Sequence, residues 1–514
     1  MSSQHIFRSL LSAFLLIAFS VSARGAEMAQ GVVFHDRNEN GKRDAGEPGI
    51  PNVRVSNQKD VVTTDKDGRW ELPSGNDIIF FVIKPSGWKT PLNEFNLPQF
   101  HYVHKPAGSP KTRYLGVKPT GPLPKSIDFP LMPQKDPDTF KAIFFGDPQP
   151  SNQQHIDYIA HDVVEELIGT DAKFGITLGD ILFDNLSLFD SLNSTVALIG
   201  VPWYNVIGNH DINMEATTDA LSDETFERVY GPTYYSFDYG KVHFIVLDNV
   251  MWAARGAKYV PELGPRQVEF VKNDLKLVPE KQLVVLMMHI PLRGMIDRQQ
   301  LYRLIEQRPY TLSLSGHTHT QEHHFIGKEE GWRGKTPHHH IVNVTVSGSW
   351  WKGSKDELGI PHTTMRDGSP NGHSIITFDG HSATFDFKAA RRPADYQMNI
   401  HAPEVVAAAT AHESSLYVNV FSGSVKSKVR FRVGNSKWTT MKKVQEKDPY
   451  YTAVRERDMK AFPKAPALNP PANSTHLWKS PLPKGLKTGT HLIRVETTDM
   501  YGRTFKDAQV IRVR

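Results

Sequence analysis

Phe174-Gly175-Ile176-Thr177-Leu178-Gly179-Asp180, followed by Trp203-Tyr204-Asn205-Val206-Ile207-Gly208-Asn209-His210-Asp211, decides how this chain is read. Each is a short, apolar, β-rich run that passes through a glycine into polar residues able to hold a metal ion. Such runs read as buried strands, and residues just past their C-terminal ends lie where open α/β sheets build their sites. The same grammar recurs in residues 142–145 before Gly146-Asp147-Pro148-Gln149, in 283–288 before His289, and in 311–314 before Gly316-His317-Thr318-His319. A Gly-Asp pair marks many ordinary turns, and a lone His is usually structural. The ordered set of five motifs points to a metal centre.

The donor types narrow the chemistry. Carboxylate, amide oxygen and imidazole together suit Mn, Fe, Zn or a similar ion. The chain has no cysteine, which excludes a thiolate zinc site, any disulfide and a lipidated N-terminal cysteine. Two divalent ions about 3.5–4 Å apart can hold a phosphate, activate water and stabilise an in-line displacement. Such a pair needs a carboxylate shared between the ions.

Over residues 140–387 these motifs resemble the calcineurin-like metallophosphoesterase superfamily. The resemblance implies a four-layer α/β/β/α sandwich that hydrolyses a phosphate monoester or diester by attack of metal-activated hydroxide. It implies Asp147, Gln149, Asp180 and His319 around one ion, and Asp180, Asn209, His289 and His317 around the other, with Asp180 bridging. His210 is then the general acid or charge stabiliser, and Asp211 its orienting partner.

Three departures from the family pattern matter. Asp147-Pro148-Gln149 stands where the family usually has Asp-x-His, so Gln149 either offers an amide oxygen to the ion or binds a metal-held water. Phe183 stands where purple acid phosphatases carry a tyrosine, which disfavours an Fe(III)-tyrosinate. Residues 179–185 also lack the Asp-Arg-Gly ending of Ser/Thr protein phosphatases.

With 514 residues the chain is expected to form about three domains. Lys and Arg total 60 against 55 Asp and Glu, a net charge of +5 that carries no nucleic-acid footprint. Residues 1–26 read as a signal peptide: Arg8, an apolar run over 10–21, and small residues around Ala23 and Ala26. The run is too short for a spanning helix. A periplasmic or secreted bacterial protein is expected, with no transmembrane span after cleavage; oligomeric state is not legible.

Residues 27–115 read as an N-terminal β-sandwich resembling the B-repeat-like modules of bacterial surface proteins. Within it Asp36, Asn38, Asn40, Asp44 and Glu47 follow calcium-loop spacing with Gly41 at the turn, so one Ca is a candidate second cofactor beside the two transition-metal ions. Pro48 and Pro51 rule out the exit helix of an EF-hand. Residues 116–138 are a proline-rich linker expected to run extended. The catalytic domain is placed at 139–390, with a helix over 155–168 burying Ile156, Ile159, Val163 and Leu167 on one face.

After the last motif comes a Gly/Pro/Trp-rich stretch without period, which marks a loop with its own packing. Asn185, Trp350, Trp351, Asp367 and Asn371 are the candidate substrate-binding residues, with core packing as the competing role for the two tryptophans. The triplet His338-His339-His340 opens a β-rich run and is read as strand. Residues 391–514 alternate apolar and polar residues between turns, an all-β sandwich pattern. The order of modules resembles an exported bacterial branch of the superfamily with accessory domains at both ends. The competing function is a cell-envelope binding protein with a silent hydrolase fold.

Overall fold

The computed structural model describes residues 27–253, 258–464 and 466–514; the expected signal segment lies outside them. Strands Trp203–Val206, Phe174–Leu178 and Thr139–Phe145 lie side by side in parallel, followed by the antiparallel pair Gly372–Asp379 and Ser382–Ala389. A second sheet runs in the order Tyr235–Tyr239, Val242–Val246, Leu283–Met287, Thr311–Ser315, His338–Val342, Glu322–Ile326. The two sheets face one another through aromatic rings: Phe174 sits 5.6 Å from Phe237 and 5.3 Å from Phe244.

Helices Gln153–Ile159 and Phe189–Val196 cover the outer face of the first sheet, burying Ile156, Ile159 and Leu192 against Ile143 and Phe145. Helices Gly264–Leu275 and Arg298–Ile305 contribute Phe270, Leu301 and Ile305 to the core of the second. The result is the four-layer α/β/β/α sandwich. The helix expected over 155–168 starts at Gln153, capped by the Asn152 side chain, and is interrupted by a π-helical turn, Ala160–Val164. That wider turn lets both Val163 and Val164 face inward.

Two four-stranded sheets form the N-terminal domain, and Trp70 bridges their core, 5.7 Å from Phe80 and 5.8 Å from Phe129. Phe129 lies in the stretch expected to be a linker. There the structure differs: strand Phe129–Pro133 pairs in parallel with Met28–His35, because Phe129 and Leu131 alternate inward and fill the N-terminal core. The domain docks through charge. Arg54 reaches Asp238 at 2.5 Å and Asp274 at 2.8 Å, and His243 lies between the same two carboxylates at 2.8 and 2.9 Å.

The C-terminal domain packs two sheets of four and five strands around Leu416, Val418, Phe431, Ile493 and Ile511. It is not wholly β. Helix Pro449–Ala461 follows the N-cap Asp448, with Pro at its first turn, a start signal present in the sequence but passed over amid the strand pattern. Tyr451 on this helix reaches Ser349 Oγ at 3.1 Å and the carbonyl of Asn469 at 2.8 Å, tying the domain to the tryptophan loop.

Candidate metal centre

All five motifs leave the C-terminal ends of parallel strands and converge on one edge of the sandwich. Their backbones are unusual. Asp147, Gln149, Asp180, His317 and His319 all have positive φ, from 39° to 76°. Non-glycine residues rarely adopt this region, and strain of this kind concentrates at functional sites. The glycines permit the crowding: a Cβ on Gly208 would lie 1.9 Å from the Asp180 amide, and one on Gly179 would lie 2.5 Å from the His289 ring.

Two groups of donors result. In the first, Asp180, His289 and His317 place donor atoms within 4.8 Å of one another, and Asn209 Oδ1 is 3.1 Å from His289 Nε2. In the second, His319 Nε2 is 3.4 Å from Asp147 Oδ2, and Gln149 touches Asp180 Oδ2 through its amide nitrogen at 2.6 Å. Asp180 lies in both groups.

Outer contacts aim the rings. His289 Nδ1 donates to the carbonyl of Leu178 at 2.9 Å and His319 Nδ1 to that of Gly348 at 2.5 Å, so each Nε2 faces inward. Buried Gln149 Oε1 has no hydrogen-bond partner, an oxygen left available to an ion or to water bound to one. These residues fit a dinuclear centre. Burial opposes ionisation of both Asp180 and His289, yet their mutual attraction holds the carboxyl below its usual range and pushes the imidazole up to about 9. An ion held at His289 would compete with that proton.

His210 is placed at the edge of this cluster, its backbone N–H on Asp180 Oδ1 at 2.9 Å and its ring stacked on Phe183 at 4.4 Å. The orienting role expected of Asp211 falls to Asp184, whose Oδ1 is 2.6 Å from His210 Nδ1. Asp211 is fully buried and accepts the backbone N–H groups of Ile181, Leu182 and Gly208, bracing the loops that carry Asp180 and Asn209. Burial, then the Asp180 charge, push its carboxyl up to about 7. Burial works against protonation of His210, but the Asp184 hydrogen bond and the Asp180 charge outweigh it and raise its pKa.

Asp184 was missed because nothing in its spacing marks it; only the turn after Asp180, with φ of 62° at Asp184, brings it to His210. Tyr114 was missed too: it comes from the N-terminal domain, and its hydroxyl donates to the Asp184 carbonyl at 3.0 Å.

The candidate substrate residues separate. Asn185 stays half-exposed beside Asp184, and Trp350 lies flat on His319, ring centroids 3.7 Å apart. Trp351 is buried and donates its indole N–H to the carbonyl of Pro148 at 2.9 Å. Asp367 and Asn371 are engaged by groups of the protein itself. Asp367 is buried, accepting the Gln321 amide at 2.7 Å and facing His476 of the C-terminal domain at 2.9 Å. Asn371 donates to Asp162 at 2.6 Å and to the carbonyl of Val346 at 3.1 Å. His338 and His340 are buried strand residues sharing hydrogen bonds with Ser313.

In the N-terminal loop, Asp36 accepts the amides of Asn40 and Gly41, Asp44 the side chains of Asn38 and Asn40, and Glu47 the amides of Arg37 and Asp44. Its oxygens thus close on the loop's own donors.

Fold and site together define a metal-dependent phosphoric ester hydrolase. Residues 140–321 match the family model for calcineurin-like phosphoesterase, residues 37–119 that for the N-terminal domain of calcineurin-like phosphoesterase, and residues 340–505 that for its C-terminal domain. The chain belongs to the calcineurin-like phosphoesterase family, with accessory domains on both sides. None of the curated proteins compared with the chain matches it. Among solved structures it is similar to a purple acid phosphatase, PPD1, from yellow lupin (Lupinus luteus) seeds, at 13% identity over 73% of this chain and 68% of that one, with a TM-score of 0.34.

Proposed function

We propose that the protein is an exported dinuclear-metal phosphoesterase acting on a phosphate monoester or diester, with His210 delivering the proton to the leaving oxygen. The observation that carries this reading is the shared position of Asp180 between the two donor groups. When bound, the two ions supply Lewis-acid charge to the phosphoryl group and to the attacking water. The chain's own residues do the rest. Asp147, Gln149 and His319 would hold one ion, Asn209, His289 and His317 the other, and Asp180 would serve both. Asp184 holds Nδ1 of His210, leaving Nε2 to carry the transferred proton. The donor set favours Mn, Fe, Zn or a similar ion, and the loop at Asp36 is the candidate for one Ca. Export rests on the apolar N-terminal run; among the described residues no helix is long and apolar enough to cross a membrane.

The test is turnover of an aryl phosphate monoester and a diaryl phosphate side by side, after loading with Mn, Fe or Zn and after chelation. Metal-dependent hydrolysis of either supports the reading, and their ratio assigns the ester class. No turnover with both ions bound favours the cell-envelope binding protein instead.

A further inference from the structure

We propose that the cavity between the tryptophan loop and the C-terminal helix Pro449–Ala461 receives the apolar alcohol portion of the ester, making the substrate an amphiphilic phosphate with a hydrocarbon chain. This rests on the phosphoesterase reading above. The cavity encloses about 490 Å³, a size that holds small organic molecules. Tyr158, Trp351 and Pro361 wall it from the catalytic domain, and Met459 and Phe462 from the C-terminal helix. Met459 and Phe462 are 44% and 55% exposed, large apolar side chains that the protein itself leaves uncovered.

The cavity adjoins the metal centre through Trp351. Its ring forms the wall, and its indole N–H holds the carbonyl of Pro148, the residue between Asp147 and Gln149. The preceding Trp350 lies on His319, and both tryptophans have positive φ, 58° and 53°, a strained pair that the surrounding contacts keep in place. Asp458 of the helix accepts the Ser354 amide at 3.0 Å, pinning the loop to the C-terminal domain. Lys352 and Lys355 stand at the rim over the rings of Trp350 and Tyr158, at 6.0 and 5.9 Å. Apolar walls with cations at the rim, beside a phosphoryl site, match a hydrocarbon chain that ends in phosphate. The C-terminal domain therefore completes the substrate site.

The experiment uses the metal-loaded full chain and n-alkyl phosphates from methyl to octyl, with phenyl phosphate as the small control. Expected is a rise in kcat/KM of up to about three- to fourfold per added methylene until the cavity is filled. Ala467→Trp, which fills the cavity, and Met459→Glu, which charges its wall, should each lower the ratio of kcat/KM for octyl phosphate to that for methyl phosphate at least about tenfold. Calorimetric titration with octyl and methyl phosphonate reads the cavity without turnover. A flat chain-length series with normal phenyl phosphate hydrolysis overturns the cavity assignment and leaves the phosphoesterase standing. Length-dependent phosphonate binding without hydrolysis of any ester supports the cavity and overturns the reaction. Equal binding of the two phosphonates overturns the cavity whatever the activity.

Discussion

Asp184→Asn isolates the contact that the structure adds to the proton-transfer machinery. The replacement keeps an acceptor oxygen 2.6 Å from His210 Nδ1, so the imidazole retains its orientation and loses only the charge behind it. A hydrogen bond to a charged group contributes about 1.5–3 kcal/mol. Here the side chains are 42% exposed at Asp184 and 22% at His210, and solvent screening brings the value down to about 1–1.5 kcal/mol. That corresponds to a loss in kcat of about five- to thirteenfold. His210→Ala removes the acid outright and should cost about 10² to 10⁴.

The pH profile gives a second readout. Asp184 and Asp180 hold the His210 pKa above its ordinary value, and the acid is spent as pH rises through it. Removing the Asp184 charge should therefore move the alkaline limb of kcat to lower pH, with metal content unchanged. Asp211→Asn should act differently: one amide oxygen cannot replace a carboxylate accepting three backbone N–H groups, so metal retention and stability fall together. Wild-type kcat and an unmoved alkaline limb in Asp184→Asn would refute the pairing, as would loss of metal in that variant.

Asp180→Asn should remove at least about a hundredfold in activity and deplete both ions, measured by elemental analysis, because the carboxylate belongs to both donor groups. Gln149→His should raise affinity for Zn or Fe at the first site, read by competition with a chelator; equal affinities in the two proteins would place Gln149 outside the coordination shell. Arg54→Met leaves Asp238 and the buried Asp274 with His243 as their remaining charged partner beside Gln282 and Ser236, and should lower stability by about 3–5 kcal/mol in urea unfolding, partly restored by adding Asp274→Asn. Burial disfavours the charged His243, but Asp274 and Asp238 raise its pKa above 6.5. Its stabilising contribution is thus full below pH 6.5 and fades as pH rises through the folded value. His243→Gln should flatten that alkaline decline in a pH series of unfolding midpoints.

What the sequence made legible and what it concealed divide along one physical line. Asp147, Asp180, Asn209, His289, His317 and His319 were readable because each directly follows a buried strand, and parallel strands deliver their C-terminal ends to one edge. Local pattern therefore carried long-range position. Asp184 lies farther along its loop and reaches His210 through a left-handed turn, and Tyr114 reaches the Asp184 carbonyl through domain docking, neither of which period and spacing encode. Asp367 and Asn371 show the converse case, in which local pattern did not reveal the partners the fold supplies. Asp and Asn in a loop beside a site read as substrate ligands, whereas in the structure Asp367 accepts the buried Gln321 amide and faces His476 of the C-terminal domain, and Asn371 donates to Asp162 and to the Val346 carbonyl. The strand Phe129–Pro133 and the helix Pro449–Ala461 were masked by neighbouring prolines and strands, although the alternation of Phe129 and Leu131 and the Asp448-Pro449 start were both present. Elements that join domains are chosen by the surface they meet, so a chain of several domains hides its seams more than its cores. In this protein the seams carry Asp184's support and the cavity beside Trp351, which is why neither could be read from local pattern.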